Sequence, residues 1–184
     1  MSTDTAGSHT TGTEPTRAEP TRAEPTWEQL WRLAMAQAEY ARCIDADELE
    51  RWPDFFADQC FYTVTTADNH RNGLPAGLIW ADTKGMIRDR VSALREANIY
   101  ERHSYRHVLG QPLPTAAQPG DPPDQPRTET SFLVARIMRD GATDVFASGR
   151  YLDRWTLACG PPKLVERIVV CDSSRIDTLL ALPL

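Results

Sequence analysis

No run of about 18 apolar residues occurs in this chain, so nothing in it is patterned to cross a bilayer as a helix. Cysteine is scarce and scattered: Cys43, Cys60, Cys159 and Cys171 form no CxxC pair and none has a histidine within three residues. That spacing gives no support to structural zinc or to an iron–sulfur or Rieske centre. There is no excess of positive charge. A net charge of −6 and a pI near 5.2 argue against nucleic acid or an anionic membrane surface as a partner. GxGxxG, P-loop and G-x-S-x-G signatures are all missing, which leaves dinucleotide binding, nucleotide hydrolysis and acyl transfer without support. The first residues, MSTDTAGSHTTGTEPTRAEP, show no basic region followed by an apolar core. The expectation is therefore a cytoplasmic protein with reduced thiols.

What is present is ordinary for one soluble domain: 184 residues, 41% hydrophobic and 25% charged. Residues 1–26 stand apart, with no aromatic side chain and the repeat EPTRA-EPTRA-EPT from Glu14 to Thr26. Such a segment cannot bury enough apolar area to offset its ordering entropy and is expected to be a disordered tail. Residues 27–184 are expected to form a single domain, long enough for one real core.

Order begins at Thr26, which with Gln29 makes a capping-box pattern. Leu30, Leu33, Ala34, Ala41 and Ile44 then share one helix face, with Trp27 and Tyr40 at its margins. Gln37 interrupts that face without a local reason. Asp45 and Glu48 signal a second, short helix carrying Leu49 and Trp52 and stopped by Pro53. QCFYTVTT, from Gln59 to Thr66, reads as a strand, and ADNHRNG after it as a polar loop. A third helix, capped by Asp82 or Thr83, carries the stripe Ile87, Val91 and Leu94, with Arg90 on its flank seeking a carboxylate.

Strand-like runs follow at Tyr105–Leu113, Ser131–Met138, Val145–Trp155 and Leu164–Cys171. Turn signals at Asp140-Gly141 and Gly160-Pro161 predict antiparallel pairing. PLPTAAQPGDPPDQP, Pro112 to Pro126, reads as a projecting loop. Helices early and antiparallel strands late make an α+β domain, with the helices packed on a curved antiparallel sheet. That is the cystatin-like cone also seen in the nuclear transport factor 2 group, a fold that hosts enzymes and inert scaffolds alike.

Candidate chemistry is sparse. His103 and His107 have metal-like helical spacing, but Ser-Tyr-Arg lies between them where a zincin needs an acid. In a strand such a pair is expected to point to opposite or distant places, which favours a structural or interface role. An acid–base isomerase or dehydratase inside the cone is the alternative. It would need Asp54, Asp68, Tyr62, His70 and Tyr105 to converge on a small ligand.

Four strings carry a resemblance: DNHRNGLPAGLIWADT, MIRDRVSALREANIYERHSYRHVLG, RIMRDGATDVFASGRYLDRW and LVERIVVCDSSRIDTLLALPL. Together they resemble the small (β) subunits of aromatic-ring-hydroxylating, Rieske-type dioxygenases, and within them the terephthalate type. The likeness runs from about Tyr40 to Leu184. It implies a structural subunit with no catalytic, cofactor or metal residues of its own. The Rieske [2Fe–2S] cluster and the mononuclear Fe(II) would sit in a large (α) subunit, with three α and three β chains assembled and a reductase feeding the complex from NAD(P)H. Under that implication Tyr100, Arg102, His103, Tyr105, Arg106 and His107 become a candidate subunit interface, because aromatic and arginine side chains are favoured anchors. The apolar ending LLALPL is expected to dock on its own domain or on a partner.

Overall fold

The computed structural model describes residues 25–75, 77–96, 101–158, 160–175 and 180–184. The expected tail lies outside the described residues apart from Pro25 and Thr26, as do Tyr100 and Cys159.

Helix α1, Trp27–Asp45, starts as its capping box dictates. The Gln29 N–H donates to Thr26 Oγ1 at 3.2 Å, and the Thr26 N–H donates to Gln29 Oε1 at 2.8 Å. Its inner face buries Leu33, Gln37, Tyr40, Ala41, Cys43 and Ile44. A 3-10 helix, Leu49–Phe55, follows and contains Pro53 rather than stopping at it. The proline's fixed φ suits a 3-10 turn, and its carbonyl accepts from the Phe56 N–H.

Strand β1, Phe56–Thr66, begins three residues earlier than expected. The stretch read as a polar loop instead opens with the single-turn helix α2, Ala67–Arg71, because Thr66 Oγ1 accepts from the Asn69 N–H at 3.2 Å. The short strand β2, Ile79–Ala81, then pairs antiparallel with β1. Thr83 caps helix α3, Lys84–Glu96, whose buried residues are Ile87, Val91 and Leu94. Among the described residues Arg90 meets no carboxylate; its Nη2 donates to the Leu180 carbonyl at 2.5 Å.

The later chain forms β3, His103–Leu109; β4, Leu113–Thr115; β5, Arg127–Met138; β6, Thr143–Thr156; and β7, Lys163–Cys171. The order across the sheet is β2-β1-β7-β6-β5-β3, with β4 also on β5. Strands β3, β5, β6 and β7 pair antiparallel, but β1 lies parallel to β7, so the sheet is mixed at that one junction. Strand β4 places part of the proline-rich segment on the sheet instead of projecting it. That segment is also tied down by charge, since the Asp121 carboxylate accepts from Arg127 Nε at 2.6 Å and Nη2 at 3.0 Å. Arg127 also reaches Glu166 at 2.9 Å.

The core lies between α1, the 3-10 helix, α3 and the concave face of the sheet. Trp52, Phe56 and Tyr62 meet edge to face there, with ring centroids 5.2 to 5.8 Å apart. Such pairs contribute about 0.5–1.5 kcal/mol each beyond their burial. Residues 180–184 are all buried, so the end of the apolar LLALPL run docks within its own domain.

Candidate functional site

The interior of a cone is where this fold would hold a small-ligand site. Here side chains fill it. Asp153 on β6 faces Arg167 on β7, and both side chains are wholly buried. Arg167 Nε donates to Asp153 Oδ1 at 2.8 Å and Nη2 to Oδ2 at 2.7 Å, a two-pronged pair. Gln37 answers the interruption in the α1 face: its Nε2 donates to Asp153 Oδ2 and to Thr130 Oγ1, both at 2.9 Å. The Arg167 guanidinium sits 4.2 Å from the ring centroids of both Tyr40 and Tyr151. Burial works against its charge, but Asp153 more than offsets that and holds the group protonated.

The mouth is closed as well. The Tyr40 and Tyr62 hydroxyls donate to the Leu184 carbonyl at 2.9 and 3.2 Å, and the Leu184 N–H returns a bond to the Tyr62 hydroxyl at 3.3 Å. Burial pushes the Tyr40, Tyr62 and Tyr151 hydroxyls above the ordinary tyrosine value, so all three are neutral near pH 7.

The aromatic-basic run splits by strand alternation. Along β3, Tyr105 and His107 point inward with His103 half-buried on the same side, while Ser104, Arg106 and Val108 face outward. Arg102, just before the strand, is exposed. Tyr105 and His107 are buried and pack within the domain itself. Tyr105 stacks on Phe146 with centroids 5.1 Å apart. His107 Nδ1 lies 2.6 Å from Asp45 Oδ1, and the His107 backbone N–H donates to both oxygens of that carboxylate at 3.2 and 3.0 Å. Asp45, which the sequence marks only as a helix signal, thus clamps the end of α1 to β3. The clamp spans 62 residues, and no local pattern points to it.

His103 and His107 do share a strand face, contrary to the expectation of opposite directions. Four residues of strand still separate them by about 13 Å, too far to share one metal ion. Among the described residues no three His, Cys, Asp or Glu side chains lie close enough to hold one. The acid–base set does not converge either. Asp54 and Asp68 stand in solvent on the 3-10 helix and α2, whereas Tyr62 and Tyr105 are buried. Burial raises the thiols, Cys43 to about 11 and Cys171 to about 12, with Cys60 shifted the same way.

Exposed apolar surface supplies the other functional geometry. Val108 pairs with Leu133 across β3 and β5, and Val145 pairs with Ala135 across β5 and β6, on the outer face of the sheet. Val108 and Val145 are 59% and 65% exposed, and Arg106 stands beside Ala135 on β3. Hydrophobic side chains grouped beside an arginine suit a protein contact. No helix among the described residues is long and apolar enough to cross a membrane.

Known proteins share both the sequence and this architecture. The terephthalate 1,2-dioxygenase terminal oxygenase component subunit beta 2 of Comamonas sp is 55% identical over 153 residues, 83% of this chain and 97% of that protein. The solved beta subunit of a proposed aromatic-ring-hydroxylating dioxygenase from Novosphingobium aromaticivorans is 40% identical, with a TM-score of 0.74 over 85% of this chain and 99% of that one. A proposed scytalone dehydratase from the same organism shares the fold alone, at 12% identity and a TM-score of 0.60 over 84% of this chain and 91% of that one. The cone is thus common ground between enzymes and subunits, and sequence separates them. Residues 39–178, from the last turns of α1 to beyond β7, match the family model of the ring hydroxylating beta subunit, and the chain belongs to that family.

Proposed function

We propose that this chain is the non-catalytic β subunit of the terminal oxygenase of a terephthalate-type ring dioxygenase. It acts as a scaffold for large subunits that cis-dihydroxylate the ring with O2 and electrons derived from NAD(P)H. The observation that carries the reading is the 55% identity along 97% of a terephthalate dioxygenase β subunit. The interior supports it, because Arg167, Asp153 and Gln37 are bonded to one another there and Leu184 is bonded to Tyr40.

The Rieske cluster and the mononuclear iron belong, in this reading, to the large subunit. Among the described residues of this chain none fits either group. Cys43, Cys60 and Cys171 are buried with raised thiol values, and His103 and His107 stand too far apart to share an iron. The assembly has three large and three small chains in the cytoplasm and receives electrons from a separate reductase. The 100–107 run contributes to a subunit contact through its outward members Arg102 and Arg106, continued by Val108 on the sheet. Tyr105 and His107 stiffen the strand from behind.

The test is native mass spectrometry of the complex recovered through a tag on this chain, with iron analysis. A hetero-oligomer with a larger, iron-bearing chain is expected. Recovery of this chain alone, without iron and with turnover of a small carbonyl compound, would refute the scaffold role.

A further inference from the structure

Helix α1 is apolar on two sides. Its inner face builds the core, yet Trp27, Trp31 and Met35 recur at four-residue spacing on the outside and are 77%, 58% and 45% exposed. Among the described residues none covers this outer stripe fully. Trp31 and Met35 form one wall of a cleft of about 480 Å³, closed by Phe55 of the 3-10 helix and by Pro162 and Lys163 at the start of β7.

The charges around the cleft are not balanced. Its two acids are engaged: Glu39 pairs with Arg42 at 2.6 Å, and Asp54 lies 3.8 Å from Lys84. Of its three cations, Arg51 is neutralised by Glu48. Arg32 and Lys163 donate only to main-chain carbonyls, those of Gly160 (2.5 Å) and Asp54. Among the described residues neither has a carboxylate within ion-pair distance. Among the described residues, then, two positive charges without a carboxylate partner stand beside a tryptophan wall.

We propose that this cleft seats an acidic segment of the large oxygenase subunit, with an apolar side chain against Trp31 and Met35 and carboxylates on Arg32 and Lys163. The inference rests on the β-subunit reading and locates one of its contacts. Charge complementarity selects the occupant's chemistry: an aromatic and methionine wall takes an apolar anchor, and two unpaired cations take carboxylates. A second copy of this chain and its own residues 1–24 are the other occupants, and the experiment separates them from the large subunit.

The experiment uses the full chain co-expressed with its large subunit. The photo-crosslinker p-benzoylphenylalanine replaces Met35, and a second preparation carries Arg32→Glu with Lys163→Glu. The crosslink is expected to fall on a large-subunit peptide containing Asp or Glu. The charge-reversed chain is expected to bind the large subunit at least about tenfold more weakly, and raising the salt should narrow the difference. A melting temperature unchanged from wild type shows that the reversal leaves the fold intact. If the chain with the two reversals does not fold, the crosslink decides the question by itself.

Crosslinks to a second copy of this chain, to its own residues 1–24, or to nothing while the complex still forms would overturn the assignment of this cleft and leave the β-subunit reading standing. Wild-type chain that recruits no large subunit at all would overturn both.

Discussion

Replacing Asp153 by leucine is the most demanding test of the filled cone. The change leaves the Arg167 guanidinium, wholly buried, without the carboxylate that takes its Nε and Nη2 donors at 2.8 and 2.7 Å. It also removes one acceptor from Gln37. Stranding one member of a buried ion pair costs about 3–5 kcal/mol. In a chain of this length each kcal/mol lowers the melting temperature by about 2–4 °C, so the loss is expected to be on the order of 10 °C. Adding Arg167→Met should recover most of it. The double variant removes the buried charge as well as its partner, and gives up only the two ring contacts of Tyr40 and Tyr151, about 0.5–2 kcal/mol each. Thermal melting followed by near-ultraviolet circular dichroism reads the wild type, both single variants and the double. A double variant that melts as low as Asp153→Leu alone would refute the argument, because it would show that the penalty does not come from a stranded charge.

Gln37→Leu completes the apolar face of α1 on paper, yet it should destabilise the chain by about 1–3 kcal/mol because Thr130 and Asp153 lose a donor; a urea midpoint equal to wild type would contradict this. Gly149→Ala should be among the most damaging single methyl additions, since its Cβ would stand 2.0 Å from the Val170 carbonyl oxygen on the neighbouring strand; amide exchange along β6 and β7 reports the resulting separation. The Arg127 hydrogen bonds hold the Asp121 carboxyl down at about 2. A depressed carboxylate stabilises above its unfolded value and loses that contribution as pH falls through the folded one. Asp121→Asn should therefore loosen the proline-rich segment by roughly 1–2 kcal/mol at pH 7, and the two proteins should converge as pH drops from about 4 to 2. Limited proteolysis between Pro112 and Pro126 measures it, and a difference that grows with acid would count against the pair.

What was legible in the sequence was local or familial. The capping box at Thr26, the Ile87, Val91 and Leu94 stripe and the glycine turns between late strands all depend on neighbours within a few residues. Local sterics and side-chain periodicity therefore specify them without reference to the rest of the chain. The family followed from long ordered strings, which also explains why function could be read further than any single site residue. Strand alternation, applied to 103–108, would already have separated Tyr105 and His107 from Arg106 and Val108, had the start of β3 been known.

The rest required the tertiary structure. Gln37 looks like an error in a helix face until Asp153 arrives from 116 residues away, and Asp45 reads as a helix signal until His107 meets it. The parallel seat of β1 beside β7, and the closing of the cone by Leu184 against Tyr40 and Tyr62, are likewise long-range pairings. Periodicity along a chain records which residues seek burial. Which buried polar groups satisfy one another is decided only when distant elements pack, because a hydrogen bond depends on position to within tenths of an ångström and burial does not.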